Sequence, residues 1–257
     1  MPAEIARRAE DVSIPADTLP LSAWLLRPAG RPMGSVAFVH GWGQEGGRMA
    51  ALALQAAACG MAALLVDLPG HGRTGPVGTY NAKLMVDDLR RVRDWIAGHD
   101  ELRLLPAAIV GFSFGGLGAY VAAARDSRWS ALVAIAAPFG AMVAAQIYLD
   151  GKGLPGRWLD GIVRRSFIRS VGVDPVEFDA DRNLATIRVP VMIVHGEDDE
   201  VVPVSHAERL NALLPATLRT LMRVPGANHS AVLTDDAVGA RIAEFLRVSL
   251  AGAGEGA

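Results

Sequence analysis

Ala107-Ala108-Ile109-Val110-Gly111-Phe112-Ser113-Phe114-Gly115 carries the chain from one kind of local pattern into another. Its first four residues are wholly apolar, as a strand covered on both faces must be. From Leu117 to Ala124 the composition turns helix-forming. Ser113 therefore stands on a turn from strand to helix, with glycine two residues before and two after it. In so sharp a turn, side chains at those two positions would collide. A serine held this way is a candidate nucleophile; the strand–turn–helix context, more than the spacing, gives the pattern its weight.

Working outward, the same alternation runs through most of the chain. Apolar runs at 36–40, 62–67, 107–111, 131–136, 189–195 and 218–224 predict strands. Helical patterns lie between them at 46–59, 81–99, 114–125, 205–214 and 230–250. The clearest is 81–99, where Met85, Leu89, Val92 and Ile96 form one stripe. Strand–helix alternation implies crossover connections and a mostly parallel sheet. Residues 11–15 and 21–27 read instead as an antiparallel hairpin at one edge. The expectation is one α/β domain over 1–257, with about eight strands flanked by helices. One interval breaks the rhythm: 139–185 has no strand-like run and a helix only around 156–171, which predicts a small helical cap inserted after the sixth strand. The Gly/Ala tail from Ala251 is expected to fray.

Composition narrows the partners. Of 257 residues, 25 are Lys or Arg and 27 Asp or Glu, a net charge of −2, so no basic field exists to neutralise nucleic acid. With 51% hydrophobic and 20% charged residues, disorder is excluded. A single cysteine, Cys59, excludes an intramolecular disulfide framework and reads as a small buried hydrophobe. No apolar targeting region precedes Asp11, and the expected location is cytoplasmic. Two uncharged stretches, 49–66 and 132–149, are long enough to consider as membrane spans, but Gly60, Pro138 and Gly140 break them into core elements.

A serine hydroxyl needs a base, and the base needs an orienting acid. His195-Gly196-Glu197-Asp198-Asp199 follows a predicted strand and places two carboxylates at its C-terminal end. Pro225-Gly226-Ala227-Asn228-His229 follows the last strand. Serine, then acid, then histidine is the chain order this architecture requires. Upstream, His40-Gly41-Trp42-Gly43 would contribute the N–H of Trp42 to an oxyanion hole, with the N–H of Phe114 as its second donor.

These landmarks, with Asp67-Leu68-Pro69-Gly70-His71-Gly72 and Val202-Pro203, make the chain similar to the α/β-hydrolase family from about Asp11 to Leu250. The resemblance implies a serine hydrolase of carboxylesterase type with Ser113, Asp199 and His229 as its triad, and it selects Asp199 over Asp198. The substrate expected is a small-molecule carboxylic ester, with no cofactor. Acyl transfer, thioester or amide hydrolysis, carbon–carbon cleavage and perhydrolysis use the same triad, and a non-catalytic ligand-binding homologue is a further alternative.

Other polar residues have plainer readings. His40 and His195 end strands, but no metal-ligand spacing accompanies them, so no metal is expected. His71, His99 and His206 read as loop or surface histidines, and Asp67 as structural. Among Trp42, Phe112, Phe114, Phe139, Tyr148 and Trp158, only Trp42 and Phe114 are assigned to substrate contact. Lys152, Arg157, Arg164, Arg165 and Arg169 read as a solvated face balanced by Asp174, Glu177, Asp179 and Asp181.

Overall fold

The computed structural model describes residues 7–17, 19–78 and 80–254. Eight strands form one sheet: β1 (Ala9–Ile14), β2 (Leu21–Leu26), β3 (Gly34–Val39), β4 (Met61–Val66), β5 (Ala107–Phe112), β6 (Trp129–Ile135), β7 (Val191–Gly196) and β8 (Arg219–Val224). Their order is β1-β2-β4-β3-β5-β6-β7-β8. β1 pairs antiparallel with β2, and β2 antiparallel with β4; every other pairing is parallel. The hairpin expected at one edge is β1–β2.

The uninterrupted apolar runs have a direct cause. In β4, Ala62, Leu64 and Val66 enter one core cluster while Met61, Ala63 and Leu65 enter the other. β3 divides likewise, with Ala37 and Val39 on one side and Val36 and Phe38 on the other. Both faces are covered, so alternation with polar residues has no place.

The helices of the main layer are α1 (Ala50–Ala58), α2 (Ala82–Gly98), α3 (Phe114–Arg125), α7 (Ser205–Ala212) and α8 (Asp236–Gly254). The cap, between β6 and β7, holds α4 (Ala141–Gly151), α5 (Asp160–Val171) and the single turn α6 (Ala180–Asn183). The Asn81 side chain caps α2 by accepting from the N–H groups of Lys83 and Leu84 at 3.0 and 3.1 Å. Among the described residues, no helix is long and apolar enough to cross a membrane.

Three boundaries differ from the sequence reading. α4 was not expected: Pro138 and Gly140 read as breakers, but Gly140 is the N-cap, so they mark the helix start. The helix expected over 230–250 is split. A 3-10 turn (Ala231–Leu233) ends at Thr234, and Asp235 then caps α8 through the N–H groups of Ala237 and Val238. α8 continues to Gly254 past the point expected to fray, and 255–257 lie outside the described residues. Cys59 is half-buried at the end of α1 rather than in the core.

Candidate active site

The parallel strands aim their C-terminal ends the same way, and the predicted site residues meet there. Ser113 links β5 to α3 with φ of 54°, a value that side chains with a Cβ rarely adopt. The turn is tight enough to dictate its flanks. A Cβ on Gly111 would lie 2.2 Å from the Gly115 carbonyl oxygen, and one on Gly115 would lie 2.4 Å from that of His40. Glycine at both positions is therefore a steric requirement.

The imidazole of His229 bridges serine and acid. Its Nε2 lies 3.0 Å from Ser113 Oγ and its Nδ1 2.7 Å from Asp199 Oδ2. Because an ionised carboxylate only accepts, Nδ1 carries the proton and the Nε2 lone pair is left for the serine hydroxyl. The Phe112 ring packs beside the imidazole at 4.8 Å between centroids. Backbone contacts join the two loops that carry acid and base: Glu197 N–H donates to Val224 O, and Asp198 N–H to Ala227 O. A Cβ on Gly196 would meet Ala227 O at 2.2 Å.

Asp198 is exposed, whereas Asp199 is buried. Asp199 Oδ1 accepts from the N–H groups of Val201 and Val202 at 2.9 and 2.8 Å. Burial pushes its carboxyl up, but hydrogen bonds from His195, His229 and Val202 outweigh burial and hold it well below the usual carboxylate range. The acid is thus ionised in any neutral medium.

His195 is a residue whose part the sequence reading missed. Fully buried, it places Nε2 2.7 Å from Val202 O and 3.2 Å from Asp199 Oδ2. A carbonyl and a carboxylate can both only accept here, so Nε2–H is the donor. His71 was missed in the same way. Its Nε2 accepts from Gly43 N–H at 2.9 Å and its Nδ1 donates to Pro69 O at 3.0 Å, which ties down the turn carrying Trp42. His40 supports that turn from beneath: Nε2 accepts from Leu68 N–H, and burial lowers its pKa to about 4, so it is neutral. Asp67 accepts from the N–H groups of Gly46 and Arg73 at 2.6 and 2.7 Å, a structural latch as expected. The only sequence signal for His71 was its place in the Asp67–Gly72 landmark, and His195 had only its place before Gly196.

Above Ser113 and His229 lies a cavity of about 400 Å³. Its walls include Trp42, Phe114, Tyr148, Val163 and Phe167. The Trp42 ring meets Phe114 and Tyr148 edge-on, at 5.3 and 5.7 Å between centroids, so the oxyanion-side turn touches cap helix α4. Phe112 lines the cavity, while Phe139 and Trp158 do not. The backbone N–H groups of Trp42 and Phe114 have no acceptor among the described residues. No group of three or more His, Cys, Asp or Glu side chains among those residues is arranged to hold a metal.

The fold is that of the α/β hydrolases. A family model described as serine aminopeptidase, S33, matches residues 30–167, and the chain belongs to that family. The match takes in the Ser113 elbow and ends before Asp199 and His229. The chain is 30% identical over 232 residues to a polyketide synthase of Burkholderia thailandensis, covering 74% of this chain and 11% of the synthase. It is 27% identical over 239 residues to a pimeloyl-[acyl-carrier protein] methyl ester esterase of Chromobacterium violaceum, covering 78% of this chain and 89% of the esterase. Among solved structures it resembles an esterase of Pyrococcus furiosus with a TM-score of 0.75 at 20% identity, covering 97% and 96% of the two chains.

Proposed function

We propose that this chain is a serine hydrolase that cleaves carboxylic esters of small to medium acyl groups through Ser113, His229 and Asp199. The observation that carries the proposal is the hydrogen-bonded series Asp199–His229–Ser113, ending at the floor of an apolar cavity. Ser113 Oγ attacks the ester carbonyl as His229 Nε2 takes its proton, and Asp199 stabilises the resulting imidazolium. The N–H groups of Trp42 and Phe114 receive the oxyanion; loss of one such donor costs about 10²–10³ in rate. Collapse of the tetrahedral intermediate expels the alcohol, which takes the proton from His229. Water then gives its proton to His229 and attacks the acyl-enzyme, releasing the acid and restoring Ser113. No step needs a cofactor.

The lining of the cavity favours esters over the peptide substrates that the family description suggests. A peptide N-terminus is cationic, and burying it calls for a carboxylate. No Asp or Glu is among the described residues that line the cavity. Only neutral polar groups interrupt its apolar wall, which suits an uncharged acyl chain. The apolar lining and the volume fall in the range of small-molecule sites.

The test is hydrolysis of p-nitrophenyl esters from acetyl to palmitoyl, beside an aminoacyl p-nitroanilide. The wild type is expected to turn over esters in preference to the anilide, with a chain-length optimum set by the cavity. Ser113→Ala is expected to lose at least about 10⁴-fold in kcat with its fold intact. Near-wild-type turnover in that variant would overturn the assignment.

A further inference from the structure

The cap presents to the outside large apolar side chains that none of the described residues covers. Leu154, in the turn after α4, Trp158, at the end of a 3-10 turn (Gly156–Trp158), and Ile162, in the first turn of α5, are 48%, 88% and 67% exposed. Trp158 is an expensive side chain to leave in water, since an indole ring buries a large apolar area wherever a partner exists. The same stretch, 152–169, carries Lys152, Arg157, Arg164, Arg165 and Arg169, with Asp160 as its one acid.

Of the acids expected to neutralise this run, one forms an ion pair within it. Asp174 pairs with Arg164, at 2.5 Å. Glu177 pairs with Arg182, and Asp179 holds the N–H of Ala141 at the start of α4. Asp160 accepts from the amide of Gln146 at 2.7 Å. Arg157, Arg165 and Arg169 have no carboxylate partner among the described residues. Arg157, next to Trp158 in the chain, and Arg165 and Arg169, three and seven residues after Ile162 on α5, are the arginines of this stretch without an ion pair among the described residues.

We propose that this face of the cap, Leu154–Trp158–Ile162 with Arg157, Arg165 and Arg169, docks on an anionic lipid surface. Charge complementarity selects the sign of the partner. A second copy of the chain, docked patch to patch, would set these cations against one another. An indole with flanking guanidinium groups suits the headgroup layer, where the ring enters the acyl boundary and the cations meet phosphates. Helix α5 turns Val163 and Phe167 inward to the cavity, so the docked helix is the wall between that cavity and the lipid.

The experiment is co-sedimentation of the full chain with vesicles of phosphatidylglycerol and, separately, of phosphatidylcholine. Binding to phosphatidylglycerol is expected to exceed binding to phosphatidylcholine by at least about tenfold and to weaken as salt is raised. Trp158→Ser/Ile162→Ser and Arg157→Gln/Arg165→Gln/Arg169→Gln should each lower it about tenfold while thermal unfolding stays unchanged. Equal partition onto both lipids, or full binding by either stable variant, would overturn the proposal. So would a concentration-dependent dimer that Trp158→Ser dissolves, because the patch would then belong to a second copy. The readout involves no turnover, so this proposal and the proposed ester hydrolysis fail separately.

Discussion

Two regions meet at the cavity, and they are held in opposite ways. On the floor, every residue of β5 is buried, and the acid and base loops are stitched to each other through backbone hydrogen bonds. In the cap, α5 has no buried residue and α4 has only Ala141. The floor fixes reacting atoms by close packing, where tenths of an ångström are resisted by the backbone itself. The cap is a thinly packed wall whose inner surface contributes a few apolar side chains to the cavity. Under the proposed function, precision of chemistry and choice of substrate fall to separate pieces of chain, as is usual when a rigid scaffold carries a variable segment.

Substituting the same two residue types in each region tests that division. Gly111→Ala should produce the largest effect, about 3 kcal/mol of destabilisation or outright misfolding, because its Cβ would enter the backbone of Gly115 and the Ala119 side chain. Urea unfolding of the purified variant is the measurement. A stability within about 0.5 kcal/mol of wild type would mean that the elbow yields, and the contrast with the cap would collapse.

The second test probes how far the floor's rigidity extends behind the reacting groups. His195 touches Asp199 and not the cavity, so it is a positioning residue. His195→Leu should lower kcat about tenfold, the equivalent of one hydrogen bond to a charge of about 1.5 kcal/mol, with KM nearly unchanged. His195→Gln keeps an N–H donor at a similar reach and should recover most of the loss. If both variants lose activity equally, or KM rises in step, His195 serves packing alone.

The same contrast explains what could be read from the sequence. Strands buried on both faces leave uninterrupted apolar runs, and steric necessity at the elbow leaves Gly111 and Gly115; such constraints are local and visible in one chain. Ser113, Asp199 and His229 come together because successive parallel strands end on one side, which chain order alone implies. α4 escaped because Pro138 and Gly140 punctuate a helix start as readily as they break one. His71 escaped because its Nε2 meets a backbone N–H of another loop, and His195 because its contacts with Asp199 and Val202 depend on how the segment after β7 folds back, which sequence spacing alone does not encode. Of the acids that the sequence sets against the cap's cations, Asp174 pairs with Arg164 while Glu177 pairs with Arg182; which pairs form depends on tertiary packing of the cap.

The smallest expected effect belongs to Gly161→Ala in α5. A Cβ at that position meets nothing within 4 Å, and the residue lies in the first turn of an exposed helix. Alanine there removes backbone freedom from the unfolded chain and should favour the helix by up to about 1 kcal/mol. Because the cap packs loosely, the gain should appear as slower proteolysis or hydrogen exchange within 160–171, with little change in global unfolding. A matching rise in global stability would instead show that cap and floor unfold together. That outcome would mean the Trp42–Tyr148 contact couples the two regions more tightly than their burial suggests.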